Sequence, residues 1–370
     1  MGDQSDGSWK GEGTEAHLSL TRAQNEAVKT FHQAGVERRP AYDEMMRRVV
    51  RANQEHGMVL VGDSGQGDIL HSLKGLDSLR RKVASELRDY EDNIRAVLAD
   101  IKDLHRYSSA TEPVGYSAAA EGAVNHLQSE NAVFIKFKNT WDDPVYKGVN
   151  TVVTPALTGA EPEVAAFRAD KEVRDVANTL ATRTDPTDLE APLPAMTLHM
   201  QGQGLDAPCE FQMHTPGNLR IKDLLHLPYE LQRSGLFETK FGDQASQYVD
   251  AADHVMASKY NGQNDVMPQH MDRLKALTER MNGKSAEPRT IPTPAPEVLA
   301  RVNRMLFAME ALQNQPPLER RTSNQELYRA AEQAARPAVS RSLSEGTVST
   351  HQAPPQRAHT SAPQAPAHAR

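Results

Sequence analysis

Residues 208–216 read PCEFQMHTP, and no other stretch limits the fold so narrowly. Strict alternation sends Cys209, Phe211 and Met213 to one side of an extended chain and Glu210, Gln212 and His214 to the other. Such a strand belongs in a sheet that rests one face on a core and leaves the other for polar groups. The β-branched and aromatic runs AVFIKFK (132–138) and VNTVVT (149–154) predict further strands, and AMTLHMQ (195–201) is placed to form a hairpin with PCEFQMHT across 202–208.

Most of the remainder follows a helical period. Apolar residues three and four apart predict helices over roughly 18–34 and 40–56, divided at Pro40. An apolar stripe then runs from Leu73 to about Leu104, as one bent helix or two, with Asp103 and Arg106 closing it before a Ser-rich link. MVLVGDSGQG stays open between a short strand and an ordered loop. Further helices are predicted near 162–181, inside a Pro-, Asp- and Ala-rich insertion from about 155 to 195, across RIKDLLHLPYELQRSG and ASQYVDAADHVMASKY, and over 268–282, 296–313 and 323–336. The expected fold class is α+β. Residues 1–16 have almost nothing to bury and residues 337–370 are rich in Pro, Ala, Ser, Gln and His, so both ends are expected to be flexible around a domain at 17–245 and a helical extension at 246–336.

With 38% apolar residues over 370 positions the chain can bury a core large enough for an enzyme. Its formal charge of −7, with no basic stretch interleaved with aromatics, gives no reason to expect DNA as a partner. Cys209 is the single cysteine, which excludes an intrachain disulfide and a Cys-based zinc cluster and suits a reducing compartment. No apolar run approaches the ~20 residues of a membrane span. The N-terminus lacks the basic start and apolar stretch of a secretory signal, and Asp6 stands where a myristoylation motif has Ser or Thr. The expected setting is the cytoplasm, or delivery from a bacterium by a non-Sec route.

Chemistry concentrates in a few short stretches. In LKGLDSLRRK, Lys74, Ser78 and Lys82 are spaced by four, which on a helix aligns two ammonium groups and a hydroxyl along one stripe suited to a polyphosphate. In IKDLHRYS, Asp103 and Arg106 precede the Ser-rich link. In FIKFKNTWDDPVYKGVN, Lys136 and Lys138 leave the same side of a strand, and Tyr146 follows on a loop where its ring offers a plane to a nucleobase. Asp103 and Glu210 together would suffice for a hard divalent cation whose shell is completed by substrate phosphates. Each stretch alone also reads as something ordinary: a solvated helix face, a surface ion pair, a half-exposed strand, a packed tyrosine.

Taken in order, LKGLDSLRRK, IKDLHRYS, FIKFKN with VYKGVN, and CEFQMHTP resemble the synthetase domain of the RelA/SpoT family of alarmone synthetases, over roughly residues 40–240. The resemblance implies a nucleotidyltransferase-like mixed sheet flanked by helices. It also implies transfer of pyrophosphate from ATP to the ribose 3′-hydroxyl of a purine nucleotide, GDP or GTP in the family, to make a (p)ppGpp-type alarmone, or a (p)ppApp-type one where the acceptor is an adenine nucleotide. Carried over by position, Lys74, Ser78 and Lys82 hold the ATP phosphates, while Asp103 and Glu210 hold Mg²⁺ and Glu210 helps to activate the hydroxyl. Tyr146 stacks on the acceptor base, Asn150, Gln212 and His214 line the acceptor pocket, and Arg106, Lys136 and Lys138 contact phosphate or adenine.

The sequence departs from the family pattern in specific places. Ser72 stands where the family often has an Arg, Val145 replaces the Gly before the tyrosine, and the insertion separates the Tyr146 loop from the Glu210 strand. No His-Asp pair of the family's metal-dependent hydrolase precedes the region, so no matching degradation is expected. A synthetase without its hydrolase fits a toxin or a delivered effector. The alternatives are a toxin that pyrophosphorylates the 3′ end of tRNA, and a catalytically degenerate fold that binds nucleotides or proteins.

Overall fold

In the computed structural model, described here for residues 2–12, 15–155, 208–260, 268–313 and 324–336, the strand PCEFQMHT lies inside a six-stranded mixed sheet. The chain opens with short strands β1 (Gly2–Asp3), β2 (Trp9–Lys10) and β3 (Ser19–Leu20), which pair into a sheet of their own. This corrects the expectation for residues 1–16: Trp9 is fully buried among Leu20, Val28, Leu79 and Val83, and Asp3 pairs with Arg80 at 2.7 Å.

Helix α1 (Arg22–Arg51) replaces the two expected helices. It starts at 22 because Thr21 and Gln24 form a capping box. It continues through Pro40, which removes one backbone hydrogen bond at a cost of about 3 kcal/mol. Beyond the proline, Tyr42, Met45, Met46 and Val49 are all buried in the main core, and each such side chain stabilises the fold by roughly 1.5–3 kcal/mol. Packing outweighs the local break.

After β4 (Val59–Leu60), the stripe from Leu73 divides into α2 (Leu76–Glu86) and α3 (Ile94–Asp100). Between them a 3₁₀ turn at Leu87–Tyr90 gives way to Glu91 and Asp92 in the left-handed region, and Asn93 caps the amides of Arg95 and Ala96. The next segment, HRYSSA, is strand β5 (His105–Ala110) and not a link. Helix α4 (Tyr116–Ser129), β6 (Val133–Asn139), β7 (Val149–Thr154) and β8 (Cys209–His214) follow. Then come α5 (Pro216–Leu224), α6 (His226–Arg233), α7 (Leu236–Phe241), α8 (Ala245–Tyr260), α9 (Pro268–Arg280), β9 (Lys284–Ser285), α10 (Pro296–Gln313) and α11 (Asn324–Ala334).

The sheet order is β4-β5-β8-β7-β6-β9, with β5–β8 and β6–β9 parallel and the remaining pairs antiparallel. Both edges of β8 are taken, by β5 and β7; the expected hairpin partner at 195–201 and the expected helix near 162–181 lie outside the described residues. One face of the sheet, with Tyr107, Phe137, Val149, Val153, Phe211 and Met213, shares a core with α1, α4 and α9. On this side β5 is tied down by polar contacts too: the Tyr107 hydroxyl donates to Asp43 at 2.7 Å, and His105 stacks on Tyr42 at 4.0 Å. A separate core joins Leu231 and Phe237 to Val302, Met309 and Tyr328, so α6 and α7 belong with the C-terminal helices and that helical body begins before residue 246. Among the described residues no helix is long and apolar enough to cross a membrane.

Candidate functional site

Strand register assembles the candidate residues on the face opposite the core. Lys138 of β6 lies opposite Asn150 of β7, Asn150 opposite Gln212 of β8, and Gln212 opposite Ser108 of β5, so these side chains form one row across the sheet. Two residues along runs a parallel row of Lys136, Val152, Glu210 and Arg106. The irregularity between Phe134 and Lys136 leaves both lysines on this side, and Lys284 of β9 extends the first row beyond Lys138. Arg106 is thus a strand residue beside Glu210 and not a helix-end residue. Ser108 and Lys284 join the site unannounced by the sequence.

Asp103 organises the second part of the site. Lys74 Nζ lies 2.9 Å from its Oδ2 and Lys82 Nζ donates to its Oδ1 at 2.8 Å. Lys74 is not on the helix, which begins at Leu76; Leu73 bridges to His105, and the Lys74 amide donates to the Leu104 carbonyl at 2.8 Å. Those backbone bonds, not helical spacing, bring the two ammonium groups to one carboxylate. Asp103 itself follows α3, which ends at Asp100, in the turn into β5. Ser78 stands apart from the trio, and its hydroxyl accepts from Arg81 at 3.1 Å.

Burial works against the Asp103 carboxylate, yet the lysines outweigh it and hold the carboxyl below its usual range. Lys74 is pushed down, first by burial and then by Arg106 and Lys82 beyond what Asp103 restores. Lys82 is also desolvated, but its bond to Asp103 and the fields of Glu86 and Glu210 raise it. Lys82 therefore connects the two acids: it bonds Asp103 and senses Glu210.

Around Glu210 the contacts are of another kind. Asn150 Nδ2 donates to Glu210 Oε1 at 2.7 Å, while Asn150 Oδ1 is buried with no hydrogen-bond partner among the described residues. Tyr146 is half-buried, its ring edge-on to His214 at 5.5 Å. Burial and then the field of Glu210 keep its phenol protonated. His214 is only 1% exposed, and its Nδ1 lies 3.1 Å from the Lys147 carbonyl, which can only accept; Nδ1 therefore holds the proton and Nε2 accepts from the Tyr146 hydroxyl at 3.3 Å. With both nitrogens engaged, His214 orients Tyr146. Gln212 is engaged as well, its Oε1 accepting from Lys222.

Two departures from the family pattern find local reasons. Val145 is not among the left-handed residues, so no glycine is needed there, and its side chain packs against Ile221, Leu225, Met256 and Tyr260. The glycine this loop does need is Gly148, at φ 153°, where a Cβ would lie 2.7 Å from the Met213 carbonyl oxygen and 2.8 Å from His214 Nδ1. Ser72 is fully buried, and its hydroxyl accepts from Arg39 at 2.9 Å, so position 72 offers nothing to a ligand.

Among the described residues no three His, Cys, Asp or Glu side chains gather as a ready metal site. The donors at hand are nonetheless all oxygens: Asp103, Glu210 and the unpaired Asn150 Oδ1. A carboxylate has about four lone-pair sites, so the lysine bonds to Asp103 do not exhaust it, and the set fits a Mg²⁺ ion that brings phosphates with it. No protein-family model matches the chain, and no curated protein matches it.

Proposed function

We propose that this protein is an ATP-dependent pyrophosphotransferase of nucleotidyltransferase-like fold, moving pyrophosphate from ATP to the 3′-hydroxyl of a purine nucleotide. The observation carrying the reading is the pairing of Lys74 and Lys82 with Asp103 in the turn that leads into β5, whose Arg106 lies opposite Glu210 across the sheet, where Asn150 bonds that carboxylate. Phosphoryl-type transfer asks a protein for positioning and charge neutralisation more than for covalent chemistry, and these groups supply both.

In this reading Lys74 and Lys82 turn from Asp103 to the ATP phosphates. Asp103 and Glu210 would hold Mg²⁺, which neutralises phosphate charge when bound. The acceptor 3′-oxygen bonds to the β-phosphorus, the bond to the α,β-bridging oxygen breaks, AMP departs, and the hydroxyl proton passes to Glu210. Asn150 fixes Glu210 through Oε1 and leaves Oε2 for that proton. Tyr146, held by His214, supplies the surface for the acceptor base, and Arg106, Lys136 and Lys138 steer the polyanions.

Incubating the pure chain with ATP, Mg²⁺ and each of GDP, GTP, ADP and AMP, then weighing the products, tests the proposal. A product heavier than its acceptor by one pyrophosphate, formed with equimolar AMP, is the expected result. ATP hydrolysis without such a product, or no turnover with any acceptor, would overturn it, and tRNA in the same assay decides whether the acceptor is larger.

A further inference from the structure

Helix α2 carries Ser78 and Lys82, and both are half-buried. The apolar residues of the same helix, Leu79 and Val83, are fully buried with Trp9, Leu20 and Val28, and none of these belongs to the core that the sheet shares with α1, α4 and α9. The N-terminal arm, with strands β1 to β3, therefore supplies Trp9 and Leu20 to the packing that holds α2. It grips the polar residues of the helix as well. Arg80 donates to Asp3 at 2.7 Å and to Asn25 of α1 at 3.0 Å, and Arg81 donates to Glu15 at 3.3 Å. Both arginines and Glu15 are buried.

Backbone bonds close the turn that presents Glu15. Its amide donates to the Glu12 carbonyl at 3.0 Å, the Leu18 amide donates to the Glu15 carbonyl at 2.9 Å, and the Gly11 amide donates to the Leu18 carbonyl at 3.0 Å. Gly11 permits this closure, because a Cβ there would stand 2.2 Å from the Glu15 carbonyl oxygen. Arg81 then spans several groups with one planar fork: Nη1 meets Glu15, Nη2 donates to Ser78 Oγ at 3.1 Å, and Nε donates to the Asp77 carbonyl at 3.4 Å. A hydroxyl has one proton to give and two lone pairs to offer. With a lone pair of Ser78 taken by Arg81, its proton is left to be donated, which is the role a phosphate oxygen requires. Arg81 is itself buried and neutralised by Glu15, so it acts through Ser78.

We propose that Glu15 and Arg81 are positioning residues: through the chain Glu15–Arg81–Ser78, the N-terminal arm sets the Ser78 hydroxyl to donate to the phosphates of bound ATP. Contact between an arginine and a serine three residues apart can form on any helix. Glu15 gives it direction by taking the far side of the fork. The arm, which has almost nothing apolar to bury beyond Trp9, thereby becomes part of the donor site. The inference rests on the transfer reading for what lies against Ser78, but its binding test does not need turnover.

The experiment is calorimetric titration of the full chain with a non-hydrolysable ATP analogue, comparing wild type, Glu15→Gln, Arg81→Lys, Ser78→Ala and the double variant Glu15→Gln/Ser78→Ala. A hydrogen bond to a charged group corresponds to roughly tenfold to hundredfold in affinity, so Ser78→Ala should weaken the analogue by at least about tenfold. Glu15→Gln and Arg81→Lys should each weaken it by roughly threefold to tenfold. In the Ser78→Ala background, Glu15→Gln should add less than about twofold, because the group it positions is gone. Arg81→Lys keeps a cation beside Glu15 and removes the fork, so its melting temperature should stay at the wild-type value while its affinity falls. Additive losses from Glu15→Gln and Ser78→Ala, wild-type affinity in both Glu15→Gln and Arg81→Lys, or affinity that falls only in step with the melting temperature would each overturn the proposal. Coupled losses in a chain that yields no transfer product would uphold the positioning role and remove the transfer reading. Transfer by Glu15→Gln with an unchanged KM for ATP would do the reverse, and a wild-type chain that binds no analogue would overturn both.

Discussion

Phe211 and Glu210 are adjacent on β8, yet they answer to different physics. Phe211 is fully buried with Met45, Met46, Ala120 and Val153, a face whose content is apolar area and close packing. Glu210 lies on the side shared by Arg106, Lys136 and Asn150, a face whose content is charge balance and unmet hydrogen bonds. On the first face a residue can be exchanged for another of like volume. On the second the identity of each polar atom matters, and the surplus of lysines stands out in a chain of net charge −7.

The largest effects come as a crossed pair. Phe211→Ala should lower stability by about 3–5 kcal/mol through reduced burial and a residual cavity, measured by urea denaturation, while the folded fraction keeps its turnover number. Glu210→Gln should change stability little and lower turnover by about 10²–10⁴-fold, the usual worth of a placed general base. If both substitutions act on stability alone, the division between the faces is wrong.

Acid tests the buried imidazoles. Burial, with Arg39 next, pushes His105 down to about 4, and burial, with Lys222 next, pushes His214 down to about 3. Both groups titrate near 6.5 in the unfolded chain. The unfolded state therefore binds more protons between those values, and stability present at neutral pH is lost as pH falls from about 6.5 towards 4. On the order of 2–3 kcal/mol per imidazole should be gone at pH 4.5, and His214→Asn should flatten the slope of the denaturation midpoint against pH. A midpoint independent of pH over this range would mean that the imidazoles are not desolvated as described.

Smaller effects separate the cations. Lys82→Met, which leaves Lys74 alone on Asp103, should weaken a non-hydrolysable ATP analogue by about tenfold, measured by titration. Lys136→Ser removes an exposed cation, and its stability should stay within about 0.5 kcal/mol of wild type. A drop in ATP-analogue affinity in Lys136→Ser as large as in Lys82→Met would move the donor phosphates across the sheet.

The apolar face is legible in the sequence because its signal is local. Alternation in PCEFQMHT and the β-branched residues of VNTVVT fix strands wherever the rest of the chain goes. HRYSSA shows no such alternation of apolar residues, and it becomes a strand because it pairs in parallel with β8, more than a hundred positions away, and anchors Tyr107 and His105 on α1. Helical spacing sets Lys74 beside Lys82 but on the wrong element, since the bonds that place Lys74 run to Leu104 across a loop. Lys222 is unreadable from sequence, because a lysine on a polar helix face gains meaning only from the strand beneath it. Trp9 is the one sign in the sequence that the N-terminal stretch has something to bury.

The central claim, that the polar face of the sheet transfers pyrophosphate, is tested most directly with ATP labelled at the β-phosphorus. In the wild-type chain the label should pass to the acceptor, leaving unlabelled AMP, and Glu210→Gln should slow that passage by about 10²–10⁴-fold with little change in melting temperature. Labelled ADP as the product, or equal transfer by Glu210→Gln, would contradict it.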